Sequence, residues 1–133
     1  MARTRILVAD DFADWCLKIR EQVNHSSDIV GEACNGLEAV QKAAELQPDV
    51  VILDLNMPRM NGVEAARCIR QRSRSTAVIF LTKTADADIQ GQALTIGHAC
   101  VLKRNAYTEL LAAIKAAQAA AASERESDFS SRT

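Results

Sequence analysis

Apolar residues along the chain are grouped in short blocks, and polar residues or glycine separate the blocks. Five of these blocks are rich in Val, Ile, Leu and Ala and are only a few residues long. Short continuous apolar runs that end at polar or turn residues are typical of buried strands. The pattern therefore predicts strands at residues 5–10, 28–33, 50–55, 76–82 and 99–103.

The segments between and after these runs have apolar residues at helical spacing, which predicts helices at residues 13–25, 35–47, 62–72, 86–97 and 107–122. In the first helix, Leu17 fits the apolar stripe less well than its neighbours. The second helix has a stop signal in Pro48. Gly91 weakens the fourth helix, whereas the fifth is strongly rich in alanine.

Strand and helix alternate five times, and the strands are continuous apolar runs. This combination predicts an α/β fold in which helices cover both faces of a parallel sheet. We expect right-handed crossovers between the strands, and functional groups beyond their carboxyl ends. Residues 1–122 are expected to form one domain, and residues 123–133 are expected to be a flexible polar tail.

Composition narrows the classes of partner. The 133 residues are 48% hydrophobic but only 4% aromatic, so the core must be aliphatic. A net charge of −1 gives no overall attraction to nucleic acid or membrane, and no apolar run approaches the ~18 residues of a membrane span. The arginine-rich stretch "RCIRQRSRS" has no interleaved aromatics, so we expect no direct DNA binding. These features predict a cytoplasmic protein.

The four cysteines, Cys16, Cys34, Cys68 and Cys100, form no C-x-x-C pair, and the histidines have no metal-ligand spacing relative to them. Isolated cysteines in apolar surroundings usually serve as small core residues. We therefore expect no zinc site and no redox role.

Polar side chains stand at the ends of the predicted strands. The first strand ends in Asp10 and Asp11, the third in Asp54, the fourth in Thr82 and the fifth in Lys103. Because the carboxyl ends of parallel strands share one edge of the sheet, we expect these side chains to lie close together.

Three neighbouring carboxylates repel one another unless a cation joins them, and one lysine cannot neutralise all three. Oxygen ligands of this kind suit Mg²⁺. With a divalent ion bound, one carboxylate can attack a phosphoryl group and form an acyl phosphate. Catalysis of that step is mainly positioning and neutralisation of charge.

The ordered motifs "ADD", "DLNMPRMNG", "FLT" and "VLK" resemble those of the receiver domain of two-component response regulators. The resemblance extends over about residues 4–122. It implies a flavodoxin-like, doubly wound (βα)5 fold with a five-stranded parallel sheet, strand order 2-1-3-4-5, and five helices.

The resemblance also implies roles for the acidic residues. Asp54 would be the phosphoacceptor. Asp11 and Asp54 would bind Mg²⁺ directly together with the backbone carbonyl of Asn56, and Asp10 would act through water. The residues alone leave a structural alternative open, because Asp10 and Asp11 could cap the first helix and Asp54 could be a turn residue.

The remaining roles follow from the same resemblance. Thr82 would bind a phosphoryl oxygen and Lys103 would pair with the phosphoryl group. The implied partners are a sensor histidine kinase or phosphotransfer protein and an output partner, which the residues do not identify. A second copy of the chain is a further candidate partner. The resemblance implies a signalling switch that promotes only its own phosphorylation and dephosphorylation, and whose fourth helix, fifth strand and fifth helix form the responsive face.

The loop after Asp54 has residues that favour turns. Pro58 restricts Met57 to extended geometry, and Gly62 is expected to supply backbone freedom before the third helix. By resemblance, Asn56 and Thr84 lie where receivers tune the lifetime of the phosphate.

Three positions depart from the family pattern. Cys100 stands where receivers often have Tyr or Phe. Arg104 follows Lys103 in place of a frequent proline, and Lys83 follows Thr82 in place of a small residue. The missing aromatic supports an alternative in which the chain is a dimerisation or scaffold module that does not depend on phosphorylation.

Two further comparisons bear on function. The sequence resembles most those receivers that precede a helix-turn-helix output domain. This chain is either a stand-alone receiver or one excised from such a regulator. An enzyme alternative is a haloacid-dehalogenase-like phosphatase. Enzymes of that class have a D-x-D motif at the end of their first strand. Here the third strand ends in "DLN", which lacks the second acid.

Overall fold

The computed structural model describes residues 3–57, 59–73, 75–83 and 86–131, with side chains through residue 123. The strands are β1 (Thr4–Ala9), β2 (Ser27–Ala33), β3 (Val50–Asp54), β4 (Ala77–Thr82) and β5 (Ala99–Leu102). The helices are α1 (Ala13–Val23), α2 (Gly36–Leu46), α3 (Gly62–Arg72), α4 (Ala87–Ile96) and α5 (Ala106–Ser131). A 3-10 turn, Lys103–Asn105, joins β5 to α5.

The five strands form one sheet in the order β2-β1-β3-β4-β5, and every adjacent pair is parallel. This is the predicted flavodoxin-like, doubly wound fold, and the prediction is confirmed. The strand β3 lies at the centre of the sheet, and each of its residues is buried. Burial on both faces explains why its sequence is a continuous apolar run.

The sheet separates two apolar cores. One lies under α2, α3 and α4 and includes Leu7, Leu53 and Phe80. The other lies under α1 and α5 and includes Ile6 and Ile52. Adjacent residues of a strand alternate between the two cores, as the pleat of a strand requires.

Side-chain caps start three of the helices. Asn35 accepts a hydrogen bond from the Glu38 amide at the start of α2, and Asn61 accepts one from the Glu64 amide at the start of α3. Asp86 accepts bonds from two amides at the start of α4. Such caps satisfy amide groups that the helix itself leaves unpaired.

The fifth helix is longer than the sequence predicts. The predicted end was residue 122, but α5 continues to Ser131, so the backbone of residues 123–131 is helical in the segment expected to be a flexible tail. The physical reason is that no glycine or proline interrupts residues 107–131 after the alanine-rich run. The boundary of the receiver domain at residue 122 stays a prediction.

The structure corrects one expectation about single side chains, that the cysteines are core residues. Cys16 is buried and Cys68 and Cys100 are partly buried, but Cys34 is exposed just beyond β2 and is not a core residue. Leu17 is 59% exposed, in line with its weak fit to the apolar stripe of α1.

Among the described residues, no helix has the length and apolar character that crossing a bilayer requires.

Candidate functional site

Four of the predicted site residues meet at the carboxyl edge of the sheet. Asp10 directly follows β1, Asp54 ends β3, Thr82 ends β4 and Lys103 directly follows β5. These strands are neighbours in the sheet, so their ends converge. All four residues are buried, with exposures of 3%, 6%, 2% and 4% respectively. Buried polar groups require partners, which makes their contacts informative.

Lys103 joins the two buried carboxylates. Its Nζ lies 2.6 Å from Oδ2 of Asp10 and 3.3 Å from Oδ2 of Asp54. The side chain of Lys103 is only 3% exposed, so water screens these ion pairs little. The ammonium group therefore holds Asp10 and Asp54 together across the ends of β1 and β3.

The second oxygen of each carboxylate accepts a backbone hydrogen bond. The Phe12 amide donates to Oδ1 of Asp10 at 2.9 Å, and the Asn56 amide donates to Oδ1 of Asp54 at 3.1 Å. At the start of α1 the N-cap residue is Phe12, with no side-chain cap bond. The structure therefore does not support the alternative in which Asp10 and Asp11 cap the first helix.

Asp11 is exposed and completes an acidic cluster. One carboxylate oxygen from each of Asp10, Asp11 and Asp54 lies within 4.8 Å of the others. When ionised, three carboxylates and the Lys103 ammonium carry a combined charge of −3 + 1 = −2. Oxygen donors with this net charge fit a hard divalent cation.

Burial raises the pKa of the Asp54 carboxyl above its ordinary value. The charge of Asp10 acts in the same direction, while the Asn56 amide and the Lys103 ammonium act against it. A cation added to the cluster favours the ionised form, which is the form that can act as a nucleophile.

The loop after Asp54 depends on a close approach of backbone atoms. A Cβ added at Gly62 would lie 2.4 Å from the backbone oxygen of Asp54. No glycine among the described residues has a positive φ, and within this loop that conformation belongs to Arg59, with φ of 69°. The expected backbone freedom at Gly62 is therefore wrong. Glycine is needed there because α3 starts against the end of β3. Pro58 lies outside the described residues.

The ends of β4 and β5 lie side by side. Thr82 is paired with Leu102 in the parallel register, one residue before Lys103. Lys83, which stands where the family pattern has a small residue, is exposed. Thr84, which was expected to influence phosphate lifetime, lies outside the described residues.

The aromatic ring next to α4 comes from Phe80 of β4 and not from position 100 of β5. In the parallel register Cys100 is paired with Phe80, which is fully buried. Both belong to the core that includes Ala93 of α4. A Cβ at Gly97 would come within 2.4 Å of the Phe80 ring, so the ring occupies the space at the end of α4. The sequence alone does not reveal this placement of Phe80.

Trp15 is a neighbour of the site whose contact with Lys103 the sequence does not predict. The Nζ of Lys103 lies 5.0 Å from the centroid of the Trp15 ring. The only signal in the sequence is the position of this single tryptophan in the first turn of the helix that follows the acidic pair.

Comparisons with known proteins agree with this geometry. A family model described as the response regulator receiver domain matches residues 6–115. The solved response regulator domain of Thermotoga maritima CheB superimposes with a TM-score of 0.81 at 33% identity, covering 88% of this chain and 97% of that one.

Two curated relatives are similar over most of the chain. A protein-glutamate methylesterase/protein-glutamine glutaminase of Methanosarcina acetivorans is 44% identical over 96 residues, which are 70% of this chain but only 28% of that protein. The chemotaxis protein CheY of Thermotoga maritima is 32% identical over 94 residues, which are 70% of this chain and 78% of that protein. The segment that this chain matches is therefore a small part of the methylesterase but most of CheY.

Proposed function

Since the chain belongs to the family of response regulator receiver domains, we propose that Asp54 accepts a phosphoryl group from a sensor histidine kinase or phosphotransfer protein. Receiver domains act as switches in two-component signalling and not as catalysts for other substrates. The observation that supports Asp54 most strongly is its position. It ends the fully buried central strand and contacts Lys103 at 3.3 Å.

The proposed transfer forms one bond and breaks one. A carboxylate oxygen of Asp54 attacks phosphorus, and the bond from phosphorus to the donor breaks, with the electron pair leaving on the donor. In this proposal the Lys103 ammonium stabilises negative charge on the phosphoryl oxygens, and the Thr82 hydroxyl donates a hydrogen bond to them. Attack by water on the acyl phosphate later regenerates Asp54.

We propose Mg²⁺ as the cofactor, because the donor set and the net charge of the cluster fit it. Asp11 and Asp54 would hold the ion with the Asn56 carbonyl, and Asp10 would bind through water. When bound, Mg²⁺ neutralises charge on the carboxylates and on the transferred phosphoryl group. Asp11 is well placed for the first encounter since its side chain is exposed.

The proposed output is a change in the surface formed by α4, β5 and α5. Phosphorylation adds roughly −1.5 to −2 charges at the edge where β4 and β5 end. The helix α4 is the element best suited to respond, because Ala93 is the only buried residue among those described in it. The identity of the partner that reads this surface does not follow from the likeness to relatives, since the chain covers only 28% of one of them.

Binding of beryllofluoride, a phosphoryl mimic, tests the proposal. Trp15 is the only tryptophan, so its emission reports on the site without labelling. We expect a saturable change that requires both Mg²⁺ and beryllofluoride in the wild-type chain and is absent from Asp54→Asn. An equal response from Asp54→Asn would contradict the assignment of Asp54.

The alternative is a receiver that works as a dimerisation or scaffold module independently of phosphorylation. Cys100 in place of a switch aromatic is the observation that favours it. Sedimentation of the chain with Mg²⁺, with and without beryllofluoride, separates the two readings. A self-association constant that is unchanged while Trp15 reports full binding favours the scaffold.

A further inference from the structure

The Lys103 ammonium has a third contact besides the two carboxylates. Its Nζ lies 5.0 Å from the centroid of the Trp15 indole, within the ~6 Å at which a cation is attracted to a ring face. Trp15 is in the first turn of α1 and is partly buried. Trp15 therefore reaches the site from a helix, whereas the other site residues stand at strand ends.

This contact differs chemically from the other two. Asp10 and Asp54 are both proposed to engage the metal, and Asp54 is proposed to take the phosphoryl group. Metal binding weakens the attraction that holds Lys103 in place, because the charge of each carboxylate is then shared with another cation. The indole ring binds neither the metal nor the phosphoryl group, so its attraction for the ammonium persists.

We propose that Trp15 is a positioning residue that keeps the Lys103 ammonium beside Asp54 while the carboxylates are engaged. This inference rests on the proposed phosphoryl transfer to Asp54. Without the indole, a lysine released by Asp10 and Asp54 has a flexible four-carbon stem and can leave the site. With it, the ammonium stays within reach of the incoming phosphoryl oxygens.

The burial of Lys103 makes the contact stronger than at a typical surface. Its side chain is 3% exposed, so little water competes for the ammonium. Cation–π attraction is larger in such desolvated positions than at exposed ones. By contrast, Lys18 also lies over the Trp15 ring, at 4.9 Å, but its side chain is exposed. Lys18 therefore provides a matched control for a cation on the same ring.

Fluorinated tryptophan is the sharpest probe, because the chain has a single tryptophan and biosynthetic replacement changes only position 15. Fluorine withdraws electron density from the ring face and weakens its attraction for a cation, while shape and packing are nearly kept. Phosphorylation would be measured with acetyl phosphate at saturating Mg²⁺. We expect the rate constant to fall stepwise with each added fluorine.

Substitutions extend the same test. Trp15→Leu is expected to lower the rate about twofold to thirtyfold, the range that a cation–π contact of this kind supports, whereas Trp15→Phe should keep most of it. In the Lys103→Met background, Trp15→Leu should cause no further loss. Lys18→Met should leave the rate unchanged. An equal loss from Trp15→Leu with and without Lys103, or no trend with fluorination, overturns the proposal.

A readout that does not depend on phosphorylation is acetylation of Lys103 by an amine-reactive ester, mapped by mass spectrometry. With Mg²⁺ we expect Lys103 to be labelled several-fold faster in Trp15→Leu than in the wild-type chain. Without Mg²⁺ the difference should be smaller, because Asp10 and Asp54 then hold the lysine. An equal difference under both conditions shows only altered access and contradicts the proposal. If the wild-type chain is not phosphorylated at all, the proposed function fails, while this labelling still tests the role of Trp15.

Discussion

At the scale of single residues, the central feature of the site is Asp54, a carboxylic acid whose burial disfavours its ionised form. Asp54 is 6% exposed, and burial raises its pKa in the folded chain. As the pH rises from below the ordinary carboxyl pKa, the unfolded chain loses the proton first. The free energy of unfolding therefore falls as the pH rises through the window between the two pKa values, and ionised Asp54 destabilises the metal-free fold at neutral pH.

Asp54→Asn is accordingly expected to raise the free energy of unfolding of the metal-free chain at neutral pH. Lys103 keeps its closer partner, Asp10, in this variant, so the ammonium is not left unpaired. The gain should vanish below about pH 3, where the wild-type carboxyl is protonated in both states. Urea denaturation in a chelator at the two pH values measures this. Asp11→Asn, at an exposed carboxylate, is the control and should change stability less.

Gly62 gives a second prediction at this scale. The Cβ of Gly62→Ala would lie 2.4 Å from the Asp54 backbone oxygen, so the start of α3 or the end of β3 must shift. We expect a loss of about 1–3 kcal/mol in the free energy of unfolding and weaker Mg²⁺ binding. The control is Gly91→Ala, since a Cβ there meets nothing within 4 Å and the helix should gain about 0.5–1 kcal/mol. Chemical denaturation of the two variants should give changes of opposite sign, and equal effects would contradict the steric argument.

At the scale of elements, the sequence predicts the strands and the strand-end acids well because both depend on local patterns. A central strand such as β3 must be apolar throughout, and the residue that ends it is visible where the run stops. The length of α5 and the reason for glycine at position 62 were missed, because they depend on the summed propensity of a long segment and on a contact between distant backbones. The Trp15–Lys103 contact was missed for a similar reason, since it joins α1 to the end of β5.

The helix α4 should be the least protected of the first four helices. Among the described residues it buries only Ala93, whereas α3 buries four residues along its length. Few buried apolar contacts allow local opening at low free energy. Hydrogen exchange followed by mass spectrometry should show faster exchange in α4 than in α3, and a change in α4 when Mg²⁺ and beryllofluoride bind. Equal protection of α3 and α4 without ligand would contradict this view of α4.

At the scale of the whole molecule, the sheet is a rigid support between two cores, and the site spans the ends of four of its strands. Only one side of the acidic cluster, at Asp11, is exposed. Charge added at Asp54 is therefore close both to the buried ion pair with Lys103 and to the edge where β4 and β5 end. This arrangement supports the proposed switch, in which the chemistry is local and the readout is expected on the α4, β5 and α5 surface.

The most direct test of phosphoryl transfer to Asp54 is to map the phosphoryl group itself. The wild-type chain would be treated with acetyl phosphate, and intact mass and peptide mapping would follow, with Mg²⁺ or with a chelator. We expect the addition of one phosphoryl group, in the peptide that contains Asp54, only when Mg²⁺ is present, and none in Asp54→Asn. The same mass increase in Asp54→Asn, or no increase in a wild-type chain that binds Mg²⁺, would contradict it.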